Sequence, residues 1–123
     1  MAGSFNEEQW RLFYKQAYNN LQPGGYIEQV EMSVYHLCDD GTFPPNSDLA
    51  SWGPIFLKCA EKAGKPLDTV DTMKSRVQAA GFTNVQEKTY KMPLGPWAKN
   101  PILREAGKFN RAHLIEGMEG YAM

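Results

Sequence analysis

Cysteine and histidine are scarce in this chain, with two residues of each among 123. Cys38 and Cys59 lack the paired spacing of a zinc site and are too few for a disulfide framework, which argues against a small cross-linked secreted scaffold. No signal-peptide pattern opens the sequence, so the expected compartment is intracellular and reducing, the cytoplasm or the nucleus. No apolar run reaches the roughly 20 residues of a membrane-crossing helix. Neither sign of charge dominates: 13 Lys and Arg stand against 14 Asp and Glu, a net charge of −1. Without a bulk positive field, neither nucleic acid nor an anionic membrane is an expected partner. Internal repeats and low-complexity tracts are also missing, and a single domain over residues 1–123 is the expectation.

Apolar and aromatic residues are plentiful enough for one compact core, at 42% and 12% of the chain. Between residues 7 and 21, Trp10, Phe13, Tyr14, Ala17, Tyr18 and Leu21 recur at helical spacing, with Asn6 available as a cap. Pro23 cannot continue that helix, and Gly24 and Gly25 allow the positive φ of a tight turn. Tyr26 to Val34 is rich in Ile, Val and Tyr and predicts a strand. "HLCDDGTFPPNS" predicts a loop. A second helix carries Leu49, Trp52, Ile55, Phe56, Cys59 and Ala60, and Pro54 predicts that it starts or bends there. A third helix runs from about Thr69 to Ala80 and closes on Gly81. Phe82 to Met92 predicts a second strand. Asn100 as cap and Pro101 at the first helical position start a last helix toward Tyr121, with Gly107 as a point where it can break. The predicted class is α/β, helix-rich with a small sheet.

A helix ending in "L-x-PGG-Y-I-E", a "DDGT" loop, an "AGF-x-x-V" corner, "P-x-G-x-W" and a downstream "EG-x-EG" run through nearly the whole chain. Together they resemble the fungal class I S-adenosylmethionine-dependent methyltransferases of the LaeA-like group, associated with secondary metabolism. The resemblance implies a Rossmann-like fold in which Trp10 to Leu21 is the helix before strand five, Tyr26 onward is strand five, and Ala80, Gly81 and Phe82 lead into strand six. It also implies that the cofactor sits on a glycine-rich loop after the first strand and an acidic residue at the end of the second. Neither has a counterpart here. The expected chain is therefore a truncated, carboxyl-terminal part of that fold, without a bound cofactor of its own and without the last strand that the family inserts between strands five and six.

In open α/β sheets the ligand crevice lies beyond the carboxyl ends of the strands, which brings Glu31, Tyr35 and His36 forward as catalytic candidates. Glu28 and Glu31 point to opposite faces of one strand and make no acid/base pair. Glu31 is either ligand-facing or a solvated, structurally paired carboxylate. His36 titrates near neutral pH, as a general acid/base or as an exposed loop residue. Trp52, Tyr90 and Trp97 are substrate-binding candidates, an aromatic wall for an apolar small molecule, with core packing as the alternative, favoured for Trp52. His113 reads as core-edge packing, Cys38 and Cys59 as buried thiols without an activating base, and Asp39, Asp40 and Gly41 as a turn rather than a cation site. No metal is expected.

Three functions compete on this reading. One is a methyltransferase-family chain that is a fragment or a subunit, unable to bind S-adenosylmethionine or transfer methyl groups alone, with a partner polypeptide supplying the missing half. A second is a cofactor-independent isomerase or cyclase acting on a small-molecule natural product. The third is a non-catalytic ligand-binding or dimerising module. An open-edged strand also predicts a homodimer, by pairing of Tyr26 to Val34 or by exchange of the helix around Ala112 to Tyr121.

Overall fold

The computed structural model describes residues 2–122, the side chains of 121 and 122 excepted. Four helices carry the fold: α1 (Glu7–Asn20), α2 (Asp48–Lys62), α3 (Thr69–Ala79) and α4 (Pro101–Ala122). The chain divides into two compact units, with the boundary between Gln86 and Glu87.

In the first unit, α1 starts where the sequence places it. The Asn6 side chain accepts from Gln9 N–H at 2.9 Å, and the Gln9 side chain accepts from Asn6 N–H at 3.0 Å. This reciprocal capping box satisfies two donors that a helix start otherwise leaves open. Helix α1 packs on α3, with Trp10 and Tyr14 fully buried and Val77 beneath them. Phe5, Phe13, Ile27, Phe82 and Val85 close around this centre. The aromatic rings meet edge to face and stacked, Phe5 on Trp10 at 5.0 Å and Trp10 on Tyr14 at 5.5 Å between centroids. Such pairs add about 0.5–1.5 kcal/mol each beyond the area they bury. Arg76 of α3 reaches across to both carboxylate oxygens of Glu7 in the first turn of α1.

The predicted small sheet does not form: among the described residues there is no strand. The α/β expectation is corrected to four helices joined by unladdered segments. The physical reason differs between the two candidates. Residues 26–34 keep strand-like alternation, with Ile27, Gln29 and Glu31 partly buried and Tyr26, Glu28, Val30 and Met32 exposed, but among the described residues no backbone ladder bonds them. Residues 82–92 are interrupted at Asn84, whose φ of +55° is left-handed rather than extended.

Helix α2 does not start at Pro54, one of the two readings of that residue. The helix begins six residues earlier, where the Ser47 side chain caps Ala50 N–H at 3.2 Å, and runs through the proline. A good cap next to an apolar face outweighs the one backbone bond that Pro54 removes.

In the second unit, Asn100 caps α4 as expected, its side chain accepting from Ile102 N–H at 2.9 Å and Leu103 N–H at 3.2 Å. Gly107 does not break the helix. It is buried against the Pro93–Gly95 loop, where a Cβ would fall on the Gly95 carbonyl oxygen. One turn further, Asn110 Nδ2 donates to the Pro93 carbonyl at 3.0 Å.

Candidate functional site

Gly24 makes the turn that launches the segment carrying the first candidates. Its φ is +85°, and Gly25 N–H donates back to the Gln22 carbonyl at 2.8 Å. The segment that follows is pinned from within. The Tyr14 hydroxyl donates to Gln29 Oε1, Gln29 Nε2 donates to Glu31 Oε1 at 2.8 Å, and Ala2 N–H donates to Glu31 Oε2 at 3.1 Å. Burial raises the Tyr14 hydroxyl above the usual phenol range, with the Gln29 bond pulling the other way. Gln29 thus ties the segment to α1 through Tyr14, and Glu31 ties it to the amino-terminal residues through Ala2.

Tyr35 and His36 come to α2 instead. Tyr35 lies against Gly53, where an added Cβ would stand 2.9 Å from the tyrosine ring and 3.0 Å from the Val34 carbonyl oxygen. The His36 ring meets Trp52 edge to face at 6.3 Å, and Trp52 stacks on Phe56 at 4.6 Å. His36 Nδ1 is shut off from solvent with no hydrogen-bond partner. Burial pushes the imidazole below the usual histidine range, so it is neutral at physiological pH. The structure therefore brings Tyr35 to Gly53 and His36 to Trp52, consecutive residues of α2, and leaves Glu31 in a separate network.

The other two aromatic candidates belong to the second unit. Trp97 folds its ring back over Gly95 and remains 68% exposed. Tyr90 is exposed beneath the Lys88 ammonium, 4.9 Å from the ring centre.

Several smaller readings change. Cys38 and Cys59 are exposed rather than buried. Cys38 donates to Asp40 Oδ1 at 2.8 Å, and the Thr42 N–H and hydroxyl donate to the same oxygen at 3.0 and 2.7 Å. These donors, the thiol first, hold the Asp40 carboxyl down at about 2 and spend it on the turn. His113 is exposed on α4 rather than at a core edge.

Sequence reasoning missed the concavity beside Tyr35. Its volume is about 440 Å³, and Leu57, Lys58 and Glu61 of α2 together with Leu67 and Asp68 line it. Its only sequence signal was the helical spacing of Leu57 and Glu61, which periodicity assigns to a helix face without saying what the face meets. His36 and Trp52 lie outside this lining.

Among curated proteins, the chain is similar to the methyltransferase pytC of Aspergillus terreus, 36% identical over 121 residues, which is 98% of this chain and 37% of that protein. The secondary metabolism regulator LAE1 of Cochliobolus heterostrophus is 33% identical over 91% of the chain and 37% of its own length. The probable methyltransferase tdiE of Emericella nidulans is 31% identical over 92% and 35%. No family model matches the chain. No solved structure matches it either. The chain spans little more than a third of the curated relatives it matches. It belongs to the family of fungal methyltransferases and LaeA-type secondary metabolism regulators, and corresponds to the carboxyl-terminal part of its members.

Proposed function

We propose that this chain is one part of a methyltransferase-family enzyme of secondary metabolism, and that it neither binds S-adenosylmethionine nor transfers a methyl group without a polypeptide carrying the rest of the family's length. The observation that carries this reading is the pattern of coverage: 98% of the chain aligns with only 37% of pytC. A class I cofactor site needs a strand, a glycine-rich turn and a helix N-terminus in succession. The sequence offers no such run; the glycines that follow α1 launch an unladdered segment.

The unladdered segment also supports the proposal. Tyr26 is 92% exposed and Val30 80%, with Met32 beside them. A neighbouring strand would use the open backbone groups of residues 26–34 and cover this apolar face in one step. The occupant proposed is the remainder of the family fold. Mixing the chain with a polypeptide that comprises the unmatched portion of pytC is expected to give a stable complex that takes up S-adenosylmethionine. If the two polypeptides fail to associate at micromolar concentration, each being folded, the split-enzyme reading is wrong.

One observation favours a second reading, a cofactor-independent isomerase or cyclase. His36 stands half-buried beside Trp52, and burial favours its neutral form. A neutral imidazole in an apolar setting is the form that accepts a proton from a carbon acid.

A further inference from the structure

We propose that the second unit binds single-stranded nucleic acid along the first half of α4 and the loop before it. This goes beyond the reading above and stands on the second unit alone, whichever polypeptide completes the fold. The near-zero net charge is an average of two unlike parts. Residues 88–111 hold six Lys and Arg and a single acidic residue, Glu105, while the rest of the chain holds seven Lys and Arg and thirteen Asp and Glu. A local excess of this kind sets up the positive field that attracts a phosphate backbone. No acidic side chain stands in the first turn of α4 to offset the positive end of its dipole.

The fold gathers part of this charge into one stripe. Arg104, Lys108 and Arg111 are four and three residues apart on α4, so they share a face and follow one another at about 6 and 4.5 Å along the axis. The loop lies beside them. Arg104 Nε donates to the Ala98 carbonyl at 3.0 Å, and Pro96 lines a concavity of about 300 Å³ with Lys108, Arg111, Ala112 and Ile115. No carboxylate lines it. Lys108 meets Glu105 in an exposed pair, which contributes little, and Arg111 has no ion pair among the described residues. Charge alone suits any polyanion, and an aromatic side chain beside it selects bases. Trp97 stands between Pro96 and Ala98 in that loop and is 68% exposed. An open indole next to cations is the combination that holds single strands, whose bases stack on aromatics while the phosphates meet Lys and Arg. In a duplex the bases are already stacked on one another, and an acidic peptide brings carboxylates without bases.

Short fluorescein-labelled oligouridylate and oligodeoxyuridylate, which differ only in the 2′-hydroxyl, are the probes, and the tighter of the two identifies the sugar. Fluorescence anisotropy with the full chain is expected to give saturable binding at about 10–100 μM in low salt, with log K falling against log salt at a slope of about −2, the value for three phosphates met by the stripe. Arg111→Gln should reduce that slope to about −1.4. Trp97→Ala should weaken binding about tenfold at unchanged slope, and Trp97→Phe should restore it. Polyglutamate of matched charge, which tests for an acidic protein partner, should compete at least about tenfold less well than unlabelled oligonucleotide. Absence of binding in low salt, polyglutamate competing as well as the oligonucleotide, an unchanged slope in Arg111→Gln, or a Trp97→Ala variant with the parent's circular dichroism and the parent's affinity would each overturn the proposal.

Discussion

At Gly24 nothing stands within 4 Å of where a side chain would begin, so the backbone itself selects glycine. Its φ of +85° is a conformation that a β-branched residue adopts only under strain. Gly24→Val should destabilise the chain by about 1–3 kcal/mol in urea unfolding. An unchanged midpoint would show that the turn tolerates another path. This turn was legible in "PGG" because the constraint is local. His36 gives a prediction in pH. Its folded value is depressed by burial, so protonation favours the unfolded chain. Its contribution to stability is complete above the unfolded value of about 6.5 and is lost as pH falls through the lower folded one. Melting temperature should therefore decline below that pH, and His36→Gln should flatten the decline. The burial behind this effect comes from Trp52, sixteen residues away, and local sequence does not encode it.

The elements divide by where their determinants lie. Helices α1 and α4 were legible from Asn6, Asn100 and Pro101, because a cap acts on the first turn of its own helix. Gly107 was misread as a break for the opposite reason: its value is set by a carbonyl of the Pro93–Gly95 loop, which helix propensity cannot see. Gly107→Ala improves intrinsic propensity yet must push that loop away, a net loss of about 1–3 kcal/mol. Hydrogen exchange at residues 94 and 95 should accelerate in this variant. Removing one loop anchor, as in Asn110→Ala, should cost about 1 kcal/mol. The strands failed as expectations because a strand is a property of two backbones. Composition at Tyr26 to Val34 predicts a strand, and nothing in those residues reports whether a neighbour is present.

For the whole molecule, the exposed face of Tyr26, Val30 and Met32 connects stability to assembly. Where the complementary polypeptide is absent, a second copy is the available cover, and we expect the purified chain to form a homodimer that adding that polypeptide dissolves. Sedimentation of the chain alone and of the mixture reports both states, and a monomer of 13.9 kDa throughout would contradict this. Family membership was legible because the PGG turn, the proline and tryptophan loop and the final helix run through the whole sequence. The concavity beside Tyr35 was not, because α2 and the residues before α3 meet only on folding. The most direct test of the central claim is calorimetric titration of S-adenosylmethionine into the chain alone and into its mixture with the complementary polypeptide. The account predicts no binding heat for the chain and saturable binding for the mixture. Saturable binding at micromolar affinity by the chain alone would contradict it.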